Sequence, residues 1–244
     1  MKSRIKQVLR RTPLRRLLNR NQEYDEQTVE IMRRVLRVES NCVDAGCHRG
    51  EVLDRMLDLA PAGQHHGFEP LPDLCRELRR KYADSPNVHI HELALNDRAG
   101  ETSFQHVLDH PALSGLERRD YPTPDERVER ITVRAAPLDA VLPRGHPVDL
   151  LKIDVEGGEL GVLSGALDTI RANRPFIVFE HGKGAAEYYG TRPTDVFDLL
   201  TDECGLRISV MSRWLHHPET SALSRAAFRR RFDLGLEYYF LAHP

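Results

Sequence analysis

The chain has 244 residues, 40% of them apolar and 30% charged, with a formal net charge of −2. This composition suits a folded protein with a sizeable core and removes any global electrostatic case for nucleic acid. Cys42, Cys47, Cys75 and Cys204 form no CxxC pair, no apolar run approaches the ~20 residues of a bilayer span, and the N-terminus lacks a signal-peptide core. These features argue against a disulfide framework, a zinc site and a membrane span, and a cytoplasmic location is expected.

Residues 1–20 carry eight Lys or Arg and no acid. Ile5, Val8, Leu9, Leu14, Leu17 and Leu18 give a rough helical stripe, broken at Pro13. This suits either a solvated leader or a peripheral contact with an anionic membrane surface or partner. Residues 24–38 are predicted helical, with Val29, Ile31, Met32, Val35 and Leu36 near one face, ending at Ser40–Asn41. The expected organisation is a basic, helical extension over 1–39 and a domain over 40–244.

Cys42-Val43-Asp44-Ala45-Gly46-Cys47-His48-Arg49-Gly50 then reads as a strand end, a glycine bend and a helix starting near Arg49. Open parallel α/β sheets form their ligand crevice at such a turn, and the free N–H groups of the helix start favour an anionic ligand end. A dinucleotide fingerprint needs a middle glycine for close approach of the diphosphate. Here Cys47, His48 and Arg49 separate the glycines. S-adenosylmethionine, which lacks a diphosphate, fits better, although a plain strand–turn–helix is also compatible.

His66-Gly67-Phe68-Glu69-Pro70 is a second strand ending in an acid, and Glu69 stands 25 residues after Asp44. An acid there accepts hydrogen bonds from ribose hydroxyls in this fold class. Leu71, Leu74, Cys75 and Leu78 recur at helical spacing; Val88–Leu93 is a third strand, leaving through Ala94-Leu95-Asn96-Asp97. Glu101–Val107 and Arg127–Arg134 alternate like exposed antiparallel strands. The long polar stretch 108–126 between them is read as a lid or substrate loop. Pro137–Leu142 is predicted as a short helix, and Val148–Ile153 as a buried central strand ending in Asp154-Val155-Glu156-Gly157-Gly158-Glu159. A helix follows through Leu160, Leu163 and Ile170, then a strand over Phe176–Phe179 ending in Glu180-His181-Gly182. After a helix around Val196–Leu200, Gly205–Met211 and Leu236–Ala242 are predicted as a terminal antiparallel strand pair. The fold class is α/β: a doubly wound, Rossmann-like, mostly parallel sheet with that pair at its end. Asp44, Glu69, Asp154 and Glu180 close strands on one rim, where they repel unless something cationic, a sulfonium or a metal, lies between them.

Several motifs resemble those of the FkbM family of S-adenosylmethionine-dependent methyltransferases. They are Asp44-Ala45-Gly46 to Gly50, Phe68-Glu69-Pro70, Leu93-Ala94-Leu95, Ser114-Gly115-Leu116 and, most specifically, the run from Lys152 to Glu159. The resemblance covers roughly residues 40–185. The chain departs from it with Cys47-His48 where the family usually has Ala-Asn, and with Gly115 where a second serine often stands. The resemblance implies a class I methyltransferase-like fold, S-adenosylmethionine as cofactor, and O-methylation of a hydroxyl on a sugar, glycolipid or secondary metabolite. It implies cofactor contacts around Asp44, Gly46, Cys47, Gly50, Glu69, Pro70, Ala94 and Asp154.

Methyl transfer to an alcohol needs alignment and a general base or metal. His181 titrates in the right range for a base, and Asp154 and Glu180 end neighbouring strands. Asp154, Glu180 and His181 together also suit Mg²⁺ or Mn²⁺. The plainer reading of His181 is a hydrogen-bonded rim residue, and of Glu156 and Glu159 first-turn helix acids. A nicotinamide-dependent oxidoreductase and a non-catalytic S-adenosylmethionine-binding module are the alternatives. A nucleic-acid methyltransferase is disfavoured, because no proline or aromatic follows Asp154 to stack a flipped base.

Overall fold

Short apolar runs between helical stretches build a seven-stranded sheet in the computed structural model, which describes residues 13–244 except Pro122 and Pro124, with side chains from Arg20 onward. In chain order the main elements are α1 (Pro13–Val35), β1 (Cys42–Ala45), α2 (Glu51–Leu59), β2 (His65–Phe68), α3 (Pro72–Lys81), β3 (Val88–His91), β4 (Ala94–Leu95), β5 (Gly100–Val107) and β6 (Val128–Ala136). Next come α4 (Leu138–Val141), β7 (Leu150–Ile153), α5 (Glu159–Ser164), α6 (Leu167–Asn173), β8 (Phe176–Glu180), α7 (Asp195–Asp198), β9 (Arg207–Val210), α8 (Met211–His216), α9 (Arg225–Asp233) and β10 (Tyr239–His243).

The sheet order is β3-β2-β1-β7-β8-β10-β9, with β10 antiparallel to both neighbours and the remaining pairings parallel. The mixed α/β class and the terminal antiparallel pair are as expected. β10 is inserted between β8 and β9, so the last strand lies inside the sheet. The charged stretch before it is more helical than its sequence suggests, forming α8 and α9.

Strand alternation sorts the core onto two faces. Val43, Ala45, Leu151, Ile153, Ile177 and Phe179 pack on one side. Cys42 and Leu150 face the other, against Met32 of α1 and Leu53 and Met56 of α2. Val178 and Leu241 continue that second face against Tyr24, Ile31, Met211 and Trp214. Each fully buried Val, Leu, Ile, Phe or Met among them contributes about 1.5–3 kcal/mol of transfer free energy. The second face also carries two charges, since Asp44 and Lys152 are direct neighbours across β1 and β7.

α1 is continuous from Pro13 and stops at Val35, three residues short of the expected end. The basic leader proposed for residues 1–20 lies mostly outside the described residues. The Ala94-Leu95 turn is itself a short strand, pairing parallel with β6 in a second sheet of order β4-β6-β5. The stretch after β5 folds back on it: Gln105 bridges Gly115, and the Ser114 hydroxyl accepts the Val107 N–H at 3.0 Å. Among the described residues, no helix is long and apolar enough to cross a membrane.

Candidate active site

The turn after β1 is shaped by what lies beside it. Gly46 has φ 78°, and a Cβ there would lie 2.0 Å from the Asp154 carbonyl oxygen. Only glycine lets the ends of β1 and β7 approach this closely. Gly46 and Cys47 both donate their N–H groups to the Phe68 carbonyl at 3.0 Å, which ties the turn to the end of β2. Gly50, also left-handed at φ 79°, precedes α2, and a Cβ there would collide with the Tyr82 hydroxyl at 2.5 Å.

Glu69 follows β2 and is held by main-chain donors. Its Oε2 accepts the His48 N–H at 3.0 Å and its Oε1 the Leu71 N–H at 2.9 Å. Each carboxylate oxygen keeps acceptor capacity for a ligand. Burial pushes the carboxyl up to about 7, against the lowering effect of those two N–H groups. Glu69 lines a narrow slot with Gly46, Phe68, Pro70, Leu93 and Ala94, roofed by Pro111, Ser114 and Leu116 of the 108–126 stretch. The slot joins a wider crevice of about 820 Å³ walled by α1, α2 and the end of β7, and Gly46, His48, Asp154 and Glu156 line both.

A charge network occupies the junction. The Lys152 ammonium lies 3.6 Å from Asp44 and 3.4 Å from Asp154, and donates to the Gly46 carbonyl at 3.4 Å. Burial alone would raise the Asp154 carboxyl; Lys152, with hydrogen bonds from Tyr239 and Glu180, instead holds it below the usual carboxylate range. The Tyr239 hydroxyl donates to Asp154 Oδ2 at 2.5 Å. Burial, reinforced by the charges of Asp154 and Glu156, keeps Glu180 well above its ordinary range beside Asp154. Burial likewise pushes Glu156 up to about 8, although it pairs with Arg119. Asp44 is fully buried, and neither of its carboxylate oxygens has a hydrogen-bond partner among the described residues. Burial raises its carboxyl against the pull of Lys152.

The expected residues are not all gathered here. Asp44, Gly46, Cys47, Glu69, Pro70, Ala94 and Asp154 line the slot or the crevice. Gly50 sits one step back, at the start of α2. Glu180 meets Asp154 and Glu156, the three offering carboxylate oxygens within 4.8 Å of one another. His181 is absent from that group. Its side chain is buried, stacked on Phe228 at 5.8 Å and near Phe232 at 4.8 Å, with Nε2 3.2 Å from the Pro193 carbonyl. Burial pushes its imidazole down to about 4. Its neighbour in sequence, Glu180, points to the cluster because alternation along β8 sends consecutive side chains to opposite faces. The base and metal-ligand roles expected of His181 therefore do not fit its placement. Glu159 braces the loop as a structural acid, its Oε1 accepting N–H groups from Val155 at 3.2 Å and Gly157 at 3.0 Å.

Sequence reasoning missed Tyr239, Arg119 and the α1 wall. Tyr239 starts a strand 85 residues from Asp154, and only the insertion of β10 beside β8 brings it near. Its signal, an aromatic at the start of the last strand, is too generic to single out.

The chain matches the Methyltransferase FkbM domain over residues 44–208. It is 26% identical over 176 residues to the 2-O-methyltransferase NoeI of Sinorhizobium fredii, covering 65% of this chain and 70% of NoeI. Its fold is similar to the crystal structure of methyltransferase FkbM from Methylobacillus flagellatus, with a TM-score of 0.53 at 14% identity, over 85% of this chain. The matched part is 44% of that protein, so this chain spans less than half of its length. Taken with the glycine turn, the Glu69 slot and the Lys152–Asp154 strand end, the match over residues 44–208 means that the chain belongs to the FkbM methyltransferase family.

Proposed function

We propose that the chain is an S-adenosylmethionine-dependent O-methyltransferase acting on a hydroxyl of a sugar, glycolipid or secondary metabolite. The observation that carries this reading is Asp154, an ionised carboxylate at the junction of slot and crevice, held between Lys152 and Tyr239. The slot fits the nucleoside end of the cofactor: apolar walls from Phe68, Pro70 and Leu93, and Glu69 with acceptor capacity for ribose hydroxyls. Asp44, buried without a hydrogen-bond partner beside the crevice, suits the cofactor's ammonium. When bound, the cofactor supplies an electrophilic methyl group on a sulfonium.

The chain's own residues then orient the acceptor and manage its proton. Asp154 accepts a hydrogen bond from the acceptor hydroxyl and takes the proton as the oxygen attacks. Lys152, Tyr239 and Glu180 fix the Asp154 carboxylate. Glu156, which favours its protonated form, lies in the same cluster and can donate a hydrogen bond there. The 2-O-methyltransferase relative supports oxygen as the acceptor atom.

A second reading keeps the same site but adds a divalent cation. It is favoured by the convergence of Asp154, Glu156 and Glu180, whose oxygen donors suit Mg²⁺. Asp154→Asn should lower turnover on the order of 10²–10⁴-fold, with S-adenosylhomocysteine affinity changing by less than about tenfold. Release of S-adenosylhomocysteine under single-turnover conditions is the measurement, and wild-type rates in the variant would remove Asp154 from the chemistry. The same assay with EDTA, then Mg²⁺, decides the cation: activity unaffected by EDTA excludes it.

A further inference from the structure

The crevice is built on one side by a helix that has no part in the family match. Asp25, Thr28, Val29, Met32 and Arg33 of α1 line it opposite Lys152 and Asp154. Their i, i+3, i+4, i+7 and i+8 spacing puts them on one helical face. The crevice, at about 820 Å³, is as large as sites that hold a whole small molecule.

Charge in this space is lopsided. Every cation lining it is already committed: Arg33 to Glu30 at 3.8 Å, Arg55 to Asp58 at 3.3 Å, and Lys152 to Asp44 and Asp154. Asp25 and Glu51, by contrast, have no ion-pair or side-chain hydrogen-bond partner among the described residues, and Glu26 accepts only from Gln22. Asp25 belongs electrically to the same site as the reacting carboxylate. Partial desolvation pushes its carboxyl up, and Lys152, Asp154 and Glu51 all act on it. An anionic molecule entering here would meet unpaired carboxylates and find no uncommitted cation. A hydroxylated one finds acceptors in Asp25 and Glu26, the Thr28 hydroxyl, and an apolar strip from Val29, Met32 and Val52 for its C–H faces.

We propose that the methyl acceptor binds between α1 and the Asp154 cluster, with Asp25 and Glu26 as its recognition residues, and that it is an uncharged or amine-bearing polyhydroxylated molecule rather than an acidic or phosphorylated one. This rests on the methyl-transfer reading above. α1 then selects the acceptor, while the slot around Glu69 and the Asp44 end of the crevice hold the cofactor.

The test uses the full chain, tritiated-methyl S-adenosylmethionine, and a small-molecule and glycolipid extract of its own cells lacking the gene, so that unmethylated acceptor is present. Products are separated by ion exchange. Label is expected in the neutral or cation-exchange-retained fraction. The double variant Asp25→Asn, Glu26→Gln should need at least about fivefold more of that fraction for half-saturation, with calorimetric S-adenosylhomocysteine affinity within about twofold. Label retained on the anion exchanger would overturn the proposal, as would unchanged half-saturation in the double variant. Label in no fraction while S-adenosylhomocysteine still binds would overturn the transfer reading, and the proposal with it.

Discussion

Glu69 is the residue whose protonation should be felt most directly by the cofactor. Burial holds its carboxyl at about 7 in the free protein, while its two main-chain donors favour the ionised form. Ribose hydroxyls would donate to the carboxylate, so the ligand binds the ionised form and drives its pKa down. S-adenosylhomocysteine affinity should therefore fall as pH drops below about 7, by up to about tenfold per unit. Glu69→Gln should lower affinity at pH 8 by roughly tenfold or more and flatten that slope. Calorimetry between pH 5.5 and 8 reads both effects, and an equal slope in the variant would place the titrating group elsewhere. Glu69 was legible in the sequence because its position, one βα unit after Asp44, is a local property. His181 was misread for the same kind of reason: its place beside Glu180 is local, but the direction of its side chain depends on strand alternation and on Phe228 and Phe232, far along the chain.

Among the elements, β2 and β3 form a sheet edge built of imidazoles. His66 Nδ1 lies 3.0 Å from His91 Nε2, His66 stacks on His89 at 4.7 Å, and His91 stacks at 4.5 Å on Phe68, which lines the Glu69 slot. Burial and the neighbouring histidines push His66 down to about 3 and His91 to about 4. An unfolded chain takes up these protons near 6.5, before the folded one does. The cluster therefore withdraws stability as pH falls from about 6.5 towards 4. Glu69, Glu159 and Glu156, held at about 7, 7 and 8, act in the opposite sense, because the folded state keeps their protons first. The informative quantity is thus the difference between wild type and His91→Phe. Chemical denaturation should give the variant a smaller loss of stability between pH 6.5 and 4, and parallel curves would contradict the account. Histidine-rich strands at an edge were visible in the sequence as strands. Their mutual stacking was not, since it arises from the β2–β3 register that sets His66 beside His89 and Phe68 beside His91.

On the scale of the whole molecule, the sequence was most readable where structure is consecutive. The βα turns, the buried β7 run and the acids at strand ends all lie within a few residues of their partners. The parts it concealed are made by distant segments meeting. α1 supplies a crevice wall, the 108–126 stretch roofs the slot, and β10 carries Tyr239 to Asp154 from the far end of the chain. These contacts convert a rim of repelling carboxylates into an ordered site, with one buried ammonium and one phenol between the charges. That arrangement sets the Asp154 carboxylate at the junction of slot and crevice.

This junction is where S-adenosylmethionine is proposed to bind. Calorimetric titration of the purified chain with S-adenosylhomocysteine, with NADH as the control, tests it most directly. The account predicts one site per chain, micromolar affinity for S-adenosylhomocysteine and no heat with NADH. Binding of NADH, or no binding of S-adenosylhomocysteine under conditions where the chain is folded, would contradict it.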